Sequence, residues 1–109
     1  MNKIGIWVNT RKVLQMIDEH EWRSVLQVAK DGTFSQAAKH LYISQPSLSQ
    51  CIKKIESELG MQIFERGQSP LQLTEAGRIY IEAARKMQAL RQNLLKQVDD
   101  LSELRSGQV

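Results

Sequence analysis

The sequence has little cysteine and no long hydrophobic run. Cys51 is the single cysteine among 109 residues, which excludes an intramolecular disulfide and is typical of proteins in the reducing cytosol. No apolar run approaches the ~18–20 residues that a membrane-spanning helix needs. Residues 4–8 are too few for the core of a signal peptide, and Gly5 interrupts them. These absences favour a cytoplasmic protein without a membrane partner.

Acidic residues are scarce in one part of the chain. Between Gly32 and Ile55 there is no Asp or Glu, whereas Lys39, Lys53 and Lys54 lie in this stretch. The net charge of the whole chain is only +3, but a surface without carboxylates does not repel phosphate. The stretch therefore favours an anionic partner, and the alternative is a solvated polar surface without a ligand.

Residues for catalysis or metal binding do not occur in a usable pattern. His20 and His40 lack neighbouring ligands at metal-binding spacing. Glu56 and Glu58 lie two apart on a predicted helix and point in different directions, so they cannot act as an acid–base pair. Cys51 is interpreted as a small buried hydrophobic residue. We therefore expect no metal site, no cofactor and no enzymatic activity.

Capping residues and helical periodicity predict three short helices. Asp18 and Thr33 each stand three residues before a Glu or Gln, which is the spacing of a capping box at a helix start. Ser44 caps the third helix, which ends at Gly60. The apolar residues of this third helix repeat at helical spacing: Leu48, Ile52, Ile55 and Leu59.

After the third helix the pattern becomes extended. Residues 61–64 and 71–73 are predicted as two strands with a hairpin loop at residues 66–70. Thr74 then opens a long helix with the three- and four-residue steps of a coiled coil. The predicted fold class is mainly α: a winged helix-turn-helix, with three helices and a two-stranded wing, followed by a long coiled-coil dimerisation helix.

Four segments are predicted along the chain. Residues 1–15 form an N-terminal extension, with a natural start at Met16 as the alternative, and residues 16–74 form the winged helix-turn-helix. Residues 75–105 form the linker and dimerisation helix, and residues 106–109 form a tail. One small domain covers too little of a ~30-residue helix, so we expect a homodimer rather than a helix packed on its own domain. The expected dimer interface consists of Tyr80, Met87, Leu90, Leu94, Leu101 and Leu104.

The third helix carries a small, polar and basic outer face. Rotation by about 100° per residue, with the apolar residues inward, places these residues outward: Pro46, Ser49, Gln50, Lys53 and Ser57, flanked by Ser47 and Lys54. Glutamine can bind adenine bidentately, serine can bond several bases, and a proline ring can pack on a thymine methyl group. Lys53 and Lys54 are placed for phosphates, and Thr33 and Ser35 for a further phosphate at the start of the second helix.

Several motifs occur in a defined order and spacing. They are VAKDGTFSQAAKHL at residues 28–41, SQPSLSQ at 44–50, IESELG at 55–60, IFER at 63–66 and LTEAG at 73–77. Over about residues 18–81 the chain resembles the DNA-binding domain of LysR-type transcriptional regulators. The resemblance implies a bacterial, sequence-specific protein that binds double-stranded DNA as a dimer on two half-sites, and as a tetramer when full length.

The resemblance also implies roles for individual residues. Those expected to read bases are Gln45, Pro46, Ser47, Ser49 and Gln50, and those expected near the DNA backbone are Thr33, Ser35, Lys53, Arg66 and Thr74. The family often has Arg where this chain has Gln50, and basic residues near Ser69 and Gln72, so we expect a modest salt dependence. Family members bind a small effector through a further domain, and nothing in this sequence resembles that domain.

Two other classes of function fit the sequence less well than DNA binding. A protein-interaction module with the same fold would carry aromatic or aliphatic anchors on the outer face of the third helix. That face has serine, glutamine, proline and lysine instead. A small enzyme would need a catalytic set that the sequence lacks.

Overall fold

The computed structural model describes residues 18–107. The predicted extension at residues 1–15, the first two residues of the predicted domain and the last two of the predicted tail lie outside this range. Within it the order of elements is α1 (Glu19–Asp31), α2 (Phe34–Leu41), α3 (Gln45–Leu59), β1 (Phe64–Glu65), β2 (Gln72–Leu73) and α4 (Glu75–Ser106). This order confirms the predicted winged helix-turn-helix followed by one long helix.

Local capping starts the short helices at the predicted positions. The Thr33 and Ser44 hydroxyls each accept a bond from the backbone amide three residues ahead, at 3.2 Å. Asp18 caps α1, but its carboxylate accepts from the amide of His20 at 2.8 Å. The reciprocal capping box predicted there is wrong, because the Glu21 carboxylate is bonded to a side chain of α3 instead.

The wing is shorter than predicted, with two paired residues in each antiparallel strand. Two backbone amides of the predicted strands donate to groups outside the two-stranded sheet. The amide of Ile63 donates to the Glu56 carboxylate at 2.7 Å, and the amide of Leu71 donates to the Gly32 carbonyl at 2.8 Å. The bounds predicted for the first strand, residues 61–64, are therefore wrong, because part of that segment is held by α3 rather than by a ladder.

The core lies between the three short helices, the wing and the first turns of α4. The rings of Phe34 and Phe64 meet edge to face, with centroids 6.2 Å apart. Burial of these apolar side chains is the main stabilising contribution to a domain of this size. The buried hydrophobic residues are Trp22, Val25, Val28, Ala37, Ala38, Leu48, Ile52, Ile55, Ile63, Phe64, Tyr80, Ile81 and Ala84.

The start of α4 is fixed closely against the wing. The amide of Thr74 donates to the carbonyl of Ile63 at 2.9 Å. A side chain at Gly77 would overlap the same carbonyl oxygen, so glycine permits this close approach. Beyond Met87 the side chains of α4 are exposed through Arg105. None of the helices in residues 18–107 has the length and apolar character needed to span a bilayer.

Candidate nucleic-acid interface

The outer face of α3 is presented to solvent by the packing of its inner face. Leu48, Ile52 and Ile55 are fully buried, and this fixes the rotation of the helix. The expected base-reading residues lie outside this buried face or at the helix start, and all are exposed apart from the half-buried Ser49: Gln45, Pro46, Ser47, Ser49 and Gln50. The structure therefore brings these five residues together on the first turns of one helix.

The electrostatic character of this face is neutral to positive. Lys53 is exposed and has no ion-pair partner among residues 18–107. Glu56, the first acidic residue after the acid-free stretch, is half-buried and bonds to the wing. An anion approaching the first turns of α3 thus meets hydroxyl, amide and ammonium groups without a competing carboxylate.

Lys54 differs from its neighbour, since its exposed side chain ends in an ion pair with another helix. It donates to the Glu21 carboxylate at 2.8 Å, and the Glu21 side chain is 8% exposed. This hydrogen bond and the carboxylate charge raise the pKa of Lys54. Lys54 therefore joins α3 to α1, and its expected contact with a phosphate stays a prediction that competes with this ion pair.

Arg66 is also occupied within the domain. Its guanidinium donates to the Glu56 carboxylate at 2.9 Å and to the Phe64 carbonyl at 3.1 Å, and it lies 5.5 Å from the centroid of the Phe34 ring. A cation over an aromatic face is attracted by the ring quadrupole. Arg66 thus ties the wing to α2 and α3, and its expected role at the DNA backbone stays a prediction.

The single hydrogen of the Thr74 hydroxyl is used at the start of α4. The hydroxyl accepts from the amide of Gly77 at 2.9 Å and donates to the carbonyl of Gln62 at 2.6 Å. Of the expected backbone contacts, Thr33 also caps a helix, whereas the side chain of Ser35 is exposed on the first turn of α2. The structure therefore leaves Lys53 and Ser35 as the side chains most available to phosphates.

The expected dimer face divides into two parts along α4. Tyr80 is 8% exposed, and Met87 packs partly against the core, so the first part belongs to the domain itself. The inclusion of Tyr80 in an exposed seam is wrong for this reason. Leu90, Leu94, Leu101 and Leu104 are all more than half exposed, and sequence reasoning missed the exposed Leu95 and Val98 beside them.

A hydrogen-bonded cluster between α1 and α2 was also missed. The imidazole of His40 lies 2.8 Å from the Asp31 carboxylate, which also accepts from Gln27 at 2.9 Å. The bond with His40, followed by that with Gln27, lowers the pKa of Asp31. No set of three or more His, Cys, Asp or Glu side chains within residues 18–107 is arranged to hold a metal ion.

Comparison with known proteins agrees with this geometry. Residues 20–78 match the family described as bacterial regulatory helix-turn-helix protein, lysR family. This chain belongs to the LysR family. The match covers more than half of the chain and confirms the resemblance seen in the sequence motifs.

Individual LysR-type relatives extend the comparison. The chain is 43% identical over 77 residues to YcgK of Bacillus subtilis (strain 168), described as an uncharacterized HTH-type transcriptional regulator; the match covers 71% of this chain and 24% of that protein. It is 38% identical over 85 residues to a probable RuBisCO transcriptional regulator of Porphyra purpurea, with coverage of 78% and 27%. The chain therefore spans about a quarter of the length of the curated relatives it matches.

The fold is shared with solved LysR-type DNA-binding domains. The crystal structure of the BenM DNA-binding domain with catB site 1 DNA superposes with a TM-score of 0.73 at 29% identity. The superposition covers 78% of this chain and 96% of the BenM domain.

Proposed function

We propose that the chain is the DNA-binding region of a LysR-type transcriptional regulator, and that it binds double-stranded DNA sequence-specifically with α3 in the major groove. The observation that carries the proposal is the exposed, carboxylate-free outer face of α3, held in one orientation by its buried inner face. The major groove of B-DNA admits one α-helix and presents a distinct donor and acceptor pattern for each base pair. The shared fold of the BenM domain, whose structure is a DNA complex, supports the proposal.

The first turns of α3 supply the base contacts. The Gln50 carboxamide is suited to adenine, which offers one donor and one acceptor at matching spacing. The hydroxyls of Ser47 and Ser49 donate or accept at several bases, and the Pro46 ring packs on a thymine methyl group. Gln45 lies at the first position of the helix and is exposed. These contacts carry the sequence discrimination of the chain.

Few side chains remain for the DNA backbone. Lys53 and Ser35 contact phosphates, together with the free amides at the first turn of α2, behind Thr33. The side chains of Lys54, Arg66 and Thr74 are already bonded within the domain. Because each neutralised phosphate adds to the salt dependence of binding, the expected salt slope is modest.

Two copies of the chain bind an operator with two half-sites. The exposed leucines in the second half of α4 exceed what a solvated helix normally shows, and a second α4 is the partner that covers them. In the full-length regulator the dimers form tetramers, and a small-molecule effector acts through a separate domain. The regulator acts on DNA in the bacterial cytoplasm and has no catalytic role.

Selection of bound duplexes from a random pool tests the proposal. We expect recovery of one preferred half-site, repeated about one or two helical turns away. The Gln50→Ala variant should bind the selected duplex more weakly by about 1–3 kcal/mol and a random duplex as well as the wild-type chain. The matched variant Gln88→Ala, on α4, should leave both affinities unchanged. Selection that enriches no sequence would refute sequence-specific binding.

A further inference from the structure

Tyr42 lies in the turn between α2 and α3, and the residue is 94% exposed. This is the largest exposed fraction of any large hydrophobic residue in residues 18–107. The ring therefore gains almost no packing energy within the chain.

The backbone at Tyr42 makes this exposure unusual. Its φ and ψ angles are 59° and 41°, in the left-handed region. Its amide donates to the Lys39 carbonyl at 3.2 Å, and the amide of Ile43 donates to the Ala38 carbonyl at 3.1 Å, which is the Schellman pattern of a helix end. Glycine is the usual residue at this position because a side chain is strained there. A tyrosine in this place costs folding stability and contributes no contact in return.

The surroundings of Tyr42 indicate the partner of its ring. It stands two residues before Ser44, the N-cap of α3, and the neighbouring Ser44, Gln45 and Lys39 are exposed and polar. A protein partner would be expected to find further apolar anchors here. A polyanion instead finds hydroxyl and ammonium groups in a stretch without carboxylates.

We propose that Tyr42 contacts the DNA backbone at the edge of the groove that α3 enters, its hydroxyl donating to a phosphate oxygen and its ring covering the adjacent deoxyribose. This inference rests on the proposed DNA-binding function. Tyrosine hydroxyls are among the side-chain groups that bond phosphates and fix the register of a protein on DNA without reading sequence. The backbone bonds of the turn fix the position of Cα before binding, so little backbone freedom is lost when the contact forms.

Three substitutions separate the contact from the strain. Tyr42→Gly and Tyr42→Asn suit the left-handed backbone, so both variants should unfold at the same urea concentration as the wild-type chain or at a higher one. Fluorescence anisotropy with a labelled random-sequence duplex at low ionic strength should show binding about tenfold weaker for both. Tyr42→Phe, which loses only the hydroxyl, should bind about threefold weaker. The salt slope should stay unchanged, because tyrosine releases no counterion.

If Tyr42→Gly and Tyr42→Asn bound DNA with wild-type affinity, the inference would be overturned. A protein partner would then be the better explanation of the exposed ring. Wild-type affinity of Tyr42→Phe would contradict the hydrogen bond to phosphate and thereby the proposal. The proposed function fails by a different result, namely equal binding of selected and random duplexes by the wild-type chain. Discrimination that Gln50→Ala reduces, combined with normal binding by the Tyr42 variants, would reject the Tyr42 contact alone.

Discussion

The Glu56 carboxylate joins α3 to the wing through the guanidinium of Arg66, at 2.9 Å. One oxygen accepts this bond, and the other accepts from the backbone amides of Ile63 and Phe64, at 2.7 and 3.4 Å. A single acidic side chain therefore holds the segment between α3 and β1 against α3. Glu56, the first acidic residue after the DNA-facing turns of α3, is thus bonded within the domain and does not point from the outer face.

Glu56→Ala should destabilise the domain by about 2–4 kcal/mol, because it leaves the buried amide of Ile63 without an acceptor and Arg66 without its anionic partner. The midpoint of urea unfolding, at an unchanged dependence on urea concentration, measures this loss. Glu65→Ala provides the control, since its side chain is exposed on β1, and it should change stability by less than about 0.5 kcal/mol. Equal effects of the two substitutions would show that the Glu56 bonds are not stabilising.

Lys53 and Lys54 are neighbours with the same charge and opposite expected behaviour. Lys53→Ala should weaken binding to all duplexes alike and lower the salt slope by about 1, with stability unchanged. Lys54→Ala should lower the urea midpoint, because the nearly buried Glu21 carboxylate loses its partner, and should leave the salt slope unchanged. Anisotropy titrations at several salt concentrations, with unfolding curves for both variants, check the pair. A lower slope for Lys54→Ala would show that its ion pair with Glu21 opens on DNA.

Asp31 should make folding stability dependent on pH. Its bond with His40 holds the pKa of the Asp31 carboxyl below the ordinary value of 3.8. A group with a lowered pKa in the folded state stabilises the fold above its ordinary pKa, and this contribution is lost as the pH falls through the folded-state value. The stability difference between the wild-type chain and Asp31→Asn should therefore be largest near neutral pH and shrink in strong acid. Urea unfolding across that range measures it.

Asp99→Asn is the control for this experiment, because Asp99 is exposed on α4. It removes the same charge without removing the bond between α1 and α2. A difference for Asp31→Asn that stayed constant from neutral pH into strong acid would contradict the assigned cause of the shift.

The second half of α4 should hold the dimer together. Leu94→Glu and Leu101→Glu place charges on the exposed apolar face and should give a monomer in sedimentation experiments. Affinity for an operator with two half-sites should fall, whereas affinity for a single half-site should stay. Gln92→Glu, two residues away on the helix and turned toward another side, should remain dimeric. A dimer that persists in both leucine variants would place the interface elsewhere.

Local signals made the helices predictable from the sequence. Thr33 and Ser44 cap helices with their own neighbours, and the spacing of Leu48 and Ile52 identifies the buried face without knowledge of the rest of the fold. The orientation of the Gln50 side of α3 followed from that spacing. The same reasoning failed at the wing, because the amide of Leu71 pairs with Gly32, which lies far away in the sequence.

The interactions of the candidate site that sequence reasoning missed have a common physical origin. Lys54 and its partner Glu21 are 33 positions apart, so only the folded structure brings the two charges together. Arg66 looks like a free cation in the sequence until Phe34 and Glu56 are packed beside it. Periodicity along α4 likewise does not distinguish the part that packs on its own domain from the part left exposed.

Site-specific photo-crosslinking tests the central claim most directly. A photoreactive amino acid in place of Gln50 should crosslink to bases of the selected duplex, and the same amino acid in place of Gln88, on α4, should not. Crosslinks from both positions, or from position 88 alone, would contradict an account in which the outer face of α3 enters the major groove.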